Sequence, residues 1–430
     1  MRIAVIGAGL AGVTTAYELA RDGHEVVVYE RRGGIAAEGS FAPACVAASG
    51  LWLAHAAVNA WGGLDALSAP FTGWPWLWRR WNAVRQTQHA MRLTFMRDLA
   101  AMTLERLKTI ETSCALEYDH HPGVTALMRT PRHAARAQAL LAQHQALNLP
   151  VKWLDADEVR RAQPGLSAKS PVAGAFHWSG GRTANGRQFA HALKAEAQRL
   201  GARFQFHQEV IALQATGAAR QPWEVTAQRR SEVSESRSTA SALGQTTIVD
   251  DGPQNVDAVV LCSTEAATRL LPPALRPTTM RGHVHSVTAP RHQGGEAESI
   301  LGPTGAVVDP AAGTTITPMG DRLRVAGGAA IGPAPARPLE ATLLQLYGAL
   351  EADFPGATRT ARAQPWVGRQ AHCVDGLPAL GPVQSGLWLH LAHGTSAWAH
   401  APACGRLLAD QISGRSPALD TTLISPARLR

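Results

Sequence analysis

The chain has 430 residues, a formal net charge of +8 and a pI near 9.7. Its 45% apolar and 17% charged residues exclude a disordered chain and suit one large or two interleaved domains with a sizeable core. The positive balance comes with no Lys/Arg-rich block and no nucleic-acid motif, so no nucleic-acid partner is expected; an acidic membrane surface or scattered surface arginine both fit.

The first 30 residues carry the most specific pattern. An apolar strand from Arg2 to Ile6 runs into Gly7-Ala8-Gly9-Leu10-Ala11-Gly12, a helical stretch follows to Gly23, and a second apolar strand, Glu25 to Tyr29, ends in Glu30. This is a complete dinucleotide-binding βαβ unit. Gly7 permits the tight turn, Gly9 lets backbone approach a pyrophosphate, and Gly12 lets helix pack close to strand. The helix N-terminus aims free N–H groups at the phosphates. Glu30, 18 residues after Gly12, can accept hydrogen bonds from a ribose 2′-hydroxyl, and an acid there argues against a 2′-phosphate.

Beyond Glu30 lies a Gly/Ala/Ser-rich stretch to Gly50. Six of the twelve tryptophans then crowd into Trp52–Trp81. Helical spacing of Met91, Phe95, Leu99, Met102 and Leu107 predicts a long helix from His89 to about Cys114. Val124–Met128 reads as a strand, and Pro131 opens a helix to about Leu147. Asp155 caps a short helix stopped by Pro164, and Gly186–Leu200 is a further helix closed by Gly201. Strands are expected at Arg203–Phe206, Glu209–Leu213, Trp223–Gln228 and Val256–Cys262, with the Ser/Thr/Gln-rich 231–254 as a surface excursion. Val284–Val287, Thr314–Thr317 and Leu323–Ala326 look like strands of a second sheet. A helix from Leu339 to about Phe354, a strand at Leu387–Ala392 and a helix from about Pro402 to Ile412 complete the chain. The fold class is therefore α/β, with nucleotide-binding elements at both ends bracketing a different texture.

Five cysteines (Cys45, Cys114, Cys262, Cys373 and Cys404) are widely spaced, odd in number and lack a C-x-x-C pair. That fits a reduced cytoplasmic compartment and predicts neither a disulfide framework nor a metal site. The opening strand begins at Arg2, so no signal peptide is expected, and no apolar run is long enough to span a bilayer.

The second informative stretch runs Val367-Gly-Arg369-Gln-Ala-His-Cys373-Val-Asp375-Gly376-Leu377-Pro378, then Ala392-His393-Gly394-Thr395-Ser396-Ala397-Trp398. With the opening unit, it resembles the FAD-dependent D-amino acid oxidase superfamily, and most of all its bacterial D-amino acid dehydrogenases. Those proteins have an arginine upstream of Asp-Gly-x-Pro and a strand ending in Gly-His-Gly-Thr-x-Gly-Trp. Asp155-Ala-Asp-Glu-Val, Pro164-Gly-Leu and Gly282–Val287 are also similar. The chain departs from the family at Ser40-Phe-Ala-Pro43-Ala-Cys45, where Ser-x-x-Asn-x-Gly is usual, at Ala397, and after Val259-Val-Leu-Cys262.

The resemblance implies a discontinuous Rossmann-like FAD-binding domain (1–50, 151–275 and 360–430). It also implies an inserted α+β substrate domain (51–150 and 276–359) with a mainly antiparallel sheet. Non-covalent FAD would contact Gly7, Ala8, Gly9, Leu10, Ala11, Gly12, Glu30, Arg31, Ser40, Val210, Gly394, Thr395 and Ser396. Arg369 would hold an amino-acid carboxylate through its planar fork, and His393 is the other catalytic candidate. Cys373 lacks the spacing for a covalent flavin link. The implied reaction passes hydride from Cα of an amino acid, a D-amino acid first, to flavin N5, leaving a 2-oxo acid and ammonia. Alternatives are a glycine- or sarcosine-type amine oxidase using oxygen and a non-catalytic flavin-binding subunit. Trp74-Pro-Trp76-Leu-Trp78-Arg79-Arg80-Trp81 mixes amphipathic rings with cations, as at a bilayer interface. A peripheral contact with the inner membrane face and a quinone or respiratory-chain acceptor would fit; core packing or a substrate lid would explain the same residues.

Overall fold

A computed structural model of the chain describes residues 1–41, 43–58, 74–85, 88–218, 220–229, 252–292 and 301–429. Strand β1 (Arg2–Ile6), helix α1 (Leu10–Arg21) and strand β2 (Glu25–Glu30) form as the opening pattern requires. They are followed by β3 (Val46–Ala47), α2 (Trp52–Val58), α3 (Trp74–Arg85), α4 (His89–Cys114), β4 (His120–Met128) and α5 (Pro131–Gln143). Next come β5 (Lys152–Leu154), α6 (Ala156–Ala162), β6 (Gly174–Ala184), α7 (Gly186–Arg199), β7 (Arg203–Phe206), β8 (Gln208–Ala215) and β9 (Trp223–Arg229). The rest is β10 (Gln254–Val256), β11 (Ala258–Leu261), α8 (Thr264–Leu270), β12 (Thr279–Pro290), β13 (Ala306–Asp309), β14 (Thr314–Met319), β15 (Arg322–Ile331), α9 (Glu340–Asp353), β16 (Gln364–Cys373), β17 (Ala379–Gln384), β18 (Leu387–Leu391) and α10 (Ala397–Ile412). The 231–254 excursion, apart from its last residues, and residues 59–73 of the tryptophan segment lie outside the described residues.

One six-stranded sheet runs β17-β18-β11-β1-β2-β7. Five of its strands are parallel, and only β17 runs the other way. Parallel strands share one carboxyl edge, so the turns after β1, β2, β11 and β18 emerge side by side. That edge is where open α/β sheets bind ligands. The apolar core over this sheet joins α1, α4, α7 and α10. Eleven of the twelve α1 residues are buried. Arg406 of α10 fastens α1 from below, donating to Glu18 at 2.8 Å and to Asp22 at 2.5 Å, while Arg106 of α4 donates to Glu18 at 2.5 Å. The helices that begin the two glycine turns are thus clamped to each other.

A nine-stranded sheet runs β16-β12-β15-β14-β13-β4-β6-β3, with β5 also on β6. Every pairing is antiparallel except β13 with β4. Period-two alternation splits its side chains cleanly between two faces. Val287, Val307, Leu323 and Val325 meet Leu346 and Leu350 of α9 on one face. Val124, Ala126, Met128 and Val308 meet α2 and α5 on the other.

Several elements depart from the sequence expectation. Strands β12 and β15 run well past Val284–Val287 and Leu323–Ala326. Helix α10 starts at Ala397 rather than near Pro402, which sits inside it; the proline forfeits one backbone bond, but burial of this helix outweighs that loss. Strands β6 and β16 had no sequence signal, because both are interrupted by polar residues and glycine. At Asp155 the expected cap is a full capping box with Glu158. Among the described residues no helix is long and apolar enough to cross a membrane.

Candidate active site

At the β1–α1 turn the glycines are required by space. Gly7 has φ +102°, and a Cβ on Gly12 would stand 1.8 Å from the Gly7 carbonyl oxygen. A Cβ on Gly9 would meet Ser40 Oγ at 3.1 Å. Helix α1 begins with no side-chain cap from Gly9 and no acid in its first turn. Its positive end is therefore left for an outside anion. Ser40 Oγ accepts from the Leu10 N–H at 3.1 Å. Glu30 accepts from the N–H groups of Ala8 at 2.7 Å and Arg32 at 2.9 Å. Burial pushes the Glu30 carboxyl upward, against the pull of those two donors. A narrow glycine cradle with a fixed acid at its rim fits the adenosine and pyrophosphate of a dinucleotide.

Two other expected cofactor residues have protein partners of their own. Arg31 donates to Glu265 at 2.6 Å and to Glu38 at 2.8 Å. The Arg31 fork holds Glu265 below its usual carboxylate range. Val210 is buried with Ile6 and Tyr29 in an apolar cluster, and its carbonyl accepts from Arg269 at 2.7 Å.

On the same sheet edge, β18 ends in a one-turn 3-10 segment, Gly394–Ser396, and α10 starts immediately after it. Gly394 needs its φ of +57°, and an added Cβ would stand 2.6 Å from His372 Nδ1. Gly394, Thr395 and Ser396 are half-buried at the head of this helix. The His393 ring does not face outward with them. It packs on His390 with centroids 4.8 Å apart and lies 6.3 Å from His400. Burial, with the neighbouring imidazoles His390 and His400, pushes its pKa well below the usual imidazole range and so disfavours the protonated form. A cationic acid role for His393 is therefore set aside.

Arg369 lies on the other face of its sheet from the cavity described below. Along β16, Gly368 and Gln370 are buried while Arg369 is exposed. The Arg369 side chain is 60% exposed, and its nearest carboxylate is Glu265 at 4.0 Å. It pairs with His283 on β12, so it shares the α9 face of the sheet with Val287. Gln370 and His372 occupy the opposite face, which meets Gly394. Gln370 is buried, and neither amide atom has a hydrogen-bond partner among the described residues.

That opposite face also carries Thr288 and Arg324, which border a cavity of about 1030 Å³ with Phe41, Tyr118, Asp119 and Arg187. Arg324 is 3% exposed and has no acidic partner among the described residues. Its Nε donates to Thr288 Oγ1 at 3.0 Å; its Nη1 donates to the carbonyls of Phe41 at 2.7 Å and Pro43 at 3.3 Å. Burial lowers its pKa, the expected response of an uncompensated cation. The unusual 40–45 segment thus contributes two carbonyls, of Phe41 and Pro43, to Arg324. Its first residue touches α1, and the next, Phe41, walls the cavity. The guanidinium groups of Arg324 and Arg187 both approach the Phe41 ring, 5.0 and 5.4 Å from its centroid. Cys373 is fully buried with its thiol pushed up to about 12 by burial, the wrong state for a nucleophile.

The family model described as FAD dependent oxidoreductase, DAO, matches residues 2–411. The chain belongs to the DAO family of FAD-dependent oxidoreductases. Among solved structures it is similar to glycine oxidase from Geobacillus kaustophilus, with 21% identity, 99% of each chain covered and a TM-score of 0.68. L-proline dehydrogenase from P. horikoshii matches with 16% identity, 99% of this chain and 97% of that one covered, and a TM-score of 0.70. L-amino acid deaminase from Proteus vulgaris matches with 14% identity, 99% and 96% covered, and a TM-score of 0.68. At these identities the likeness concerns the fold. Within the family frame, the residues around Gly7–Gly12, Glu30 and Gly394–Ser396 fit FAD.

Proposed function

We propose that this protein oxidises the carbon–nitrogen bond of a small carboxylate-bearing amine, a D-amino acid first among the candidates, using non-covalently held FAD. The observation that carries the reading is Arg324: a buried guanidinium on a cavity wall, without an acid partner among the described residues. Three of its hydrogen bonds go to neutral oxygens, and Nη2 has no acceptor among the described residues. A substrate carboxylate would supply the missing negative charge. The solved structures reported above carry the names of enzymes for glycine, L-proline and L-amino acids, which is consistent with a carboxylate beside an oxidisable amine.

In this reading Glu30 receives the ribose hydroxyl, and the head of α1 receives the pyrophosphate. The head of α10, behind Gly394–Ser396, offers positive potential to charge arising on the reduced ring system. FAD supplies the acceptor for a hydride from Cα; the imine left behind takes up water and releases ammonia and a 2-oxo acid. Arg324 orients the substrate, the Phe41 ring walls it from solvent, and Gln370 presents an amide donor and acceptor from the same sheet face. Orientation and desolvation are the contributions this reading asks of the protein.

A membrane-bound acceptor is part of the proposal. Helix α3 exposes Trp74 at 61%, Trp78 at 63% and Trp81 at 40%. These residues fall at i, i+4 and i+7, on one helical stripe. Trp76 instead turns inward, with the Arg80 guanidinium 5.2 Å from its ring centroid.

The test is a pair of variants assayed with bound FAD quantified. Arg324→Met should lower kcat/KM at least about 30-fold, the loss of roughly 2 kcal/mol for a hydrogen bond to a charged group. Arg369→Met should leave it within about threefold. Arg324→Lys, which keeps charge but loses the fork, should fall between them. A large loss in Arg369→Met with Arg324→Met intact would return the anchor to Arg369.

A further inference from the structure

We propose that His390, His393 and Cys404 form a buried site for one copper(I) ion, behind the Gly394–Ser396 turn and apart from the substrate cavity. One ring nitrogen from each histidine and the Cys404 sulfur all lie within 4.8 Å of one another. His390 and Cys404 are fully buried, and His393 is 9% exposed. His390 Nε2 and both ring nitrogens of His393 are buried without a hydrogen-bond partner among the described residues. Buried nitrogens left without partners are costly, at about 1–3 kcal/mol each, and one ion would take up two of these three, one from each ring.

The fold brings the three ligands together from two elements. His390 and His393 lie three residues apart at the end of β18, and the chain reverses between them at Ala392, whose φ is +60°. Cys404 faces them from α10, one helical turn beyond His400. Thr15 Oγ1 stands 2.7 Å from His390 Nδ1. In the tautomer where Nδ1–H donates to that oxygen, the Nε2 lone pair is left for a metal, the outer-shell arrangement common to ligating histidines. Metal–nitrogen bonds of about 2.0 Å and metal–sulfur bonds of about 2.3 Å place ligand atoms roughly 3.5 Å apart. A modest inward turn of the side chains is enough.

Ligand chemistry selects the ion. A thiolate with two imidazoles, in a trigonal set, is a copper combination. No acidic side chain is among the electrostatic neighbours of either histidine. Copper(I), one thiolate and two neutral imidazoles sum to zero, whereas a divalent ion would leave a net positive charge in an apolar core. Binding forms one Cu–S and two Cu–N bonds and releases the Cys404 thiol proton to solvent; the copper keeps its oxidation state.

The experiment is an anaerobic titration of the FAD-loaded protein against copper(I) held by bicinchoninate. Wild type should withdraw one more equivalent than Cys404→Ser, with FAD content equal in both; Cys45, Cys114, Cys262 and Cys373 are common to the two and cancel. X-ray absorption at the copper edge of loaded wild type should show two nitrogens and one sulfur, and this decides the matter even where Cys404→Ser fails to fold. Equal uptake by the two proteins, or a copper shell without sulfur, overturns the site. Preferential uptake of zinc at Cys404 overturns the assignment to copper.

Discussion

Replacing Gly12 with alanine is the sharpest perturbation of the cofactor cradle. The new Cβ would stand 1.8 Å from the Gly7 carbonyl oxygen and 2.9 Å from its carbon, against a normal contact of about 3.4 Å or more. The obstacle is backbone, so no rotamer relieves it. Either α1 backs away from β1 by more than about 1 Å, or the Gly7 turn opens. Backing away is opposed by the buried length of α1 and by the Glu18–Arg106–Arg406–Asp22 clamp. Overpacking of this kind typically costs about 1–3 kcal/mol or more, and here it falls on the phosphate-facing turn. Gly12→Ala should therefore purify with little FAD while remaining folded by circular dichroism. Gly34→Ala, where a Cβ meets nothing within 4 Å, should retain the wild-type FAD content. Full FAD retention by Gly12→Ala would refute the close-approach argument.

Asp22 gives a pH dependence with a defined sign. Burial works to raise its pKa, but hydrogen bonds from Arg406 and Arg415 outweigh that and hold it below 3.8. The folded carboxylate therefore contributes stability above the unfolded value, and this is lost as pH falls through the lower folded value. Urea midpoints should show Asp22→Asn less stable than wild type by about 1–3 kcal/mol at pH 7, with the gap narrowing progressively as pH falls below 3.8; a gap that does not change at all as the pH is lowered past that value would disprove the linkage. For α3, wild type should pellet with vesicles containing anionic lipid at low salt, and Trp74→Ser/Trp78→Ser should not. Equal recovery of both in the supernatant would remove the membrane from the proposal.

The opening βαβ unit was legible because its information is local: strand, three glycines, helix, strand and acid are contiguous, and each spacing has a steric reason. Helix α4 was legible in the same way, through one long apolar period. Strand β6 was not, since Trp178-Ser-Gly-Gly181 breaks the alternation and its partners β3, β4 and β5 are remote in sequence. The site shows the limit most clearly. Arg369 looked like the anchor because it precedes Asp375-Gly376-Leu377-Pro378, but in a strand one residue decides the face. Parity turns Arg369 to solvent and Gln370 inward. Arg324 does carry a signal in the sequence, a charge between Leu323 and Val325 in an apolar strand. The His390, His393 and Cys404 group had none, because its ligands meet only when α10 folds back over β18.

The central claim is that the bound flavin takes electrons from a carboxylate-bearing amine. Mixing the FAD-loaded protein anaerobically with a panel of D-amino acids, L-amino acids, glycine and N-methyl amino acids tests it most directly, by the visible absorption of the flavin. At least one member should bleach the flavin, rapidly in wild type and slowly or only at high concentration in Arg324→Met. If no member of the panel bleaches flavin that dithionite can reduce, the protein does not oxidise such amines.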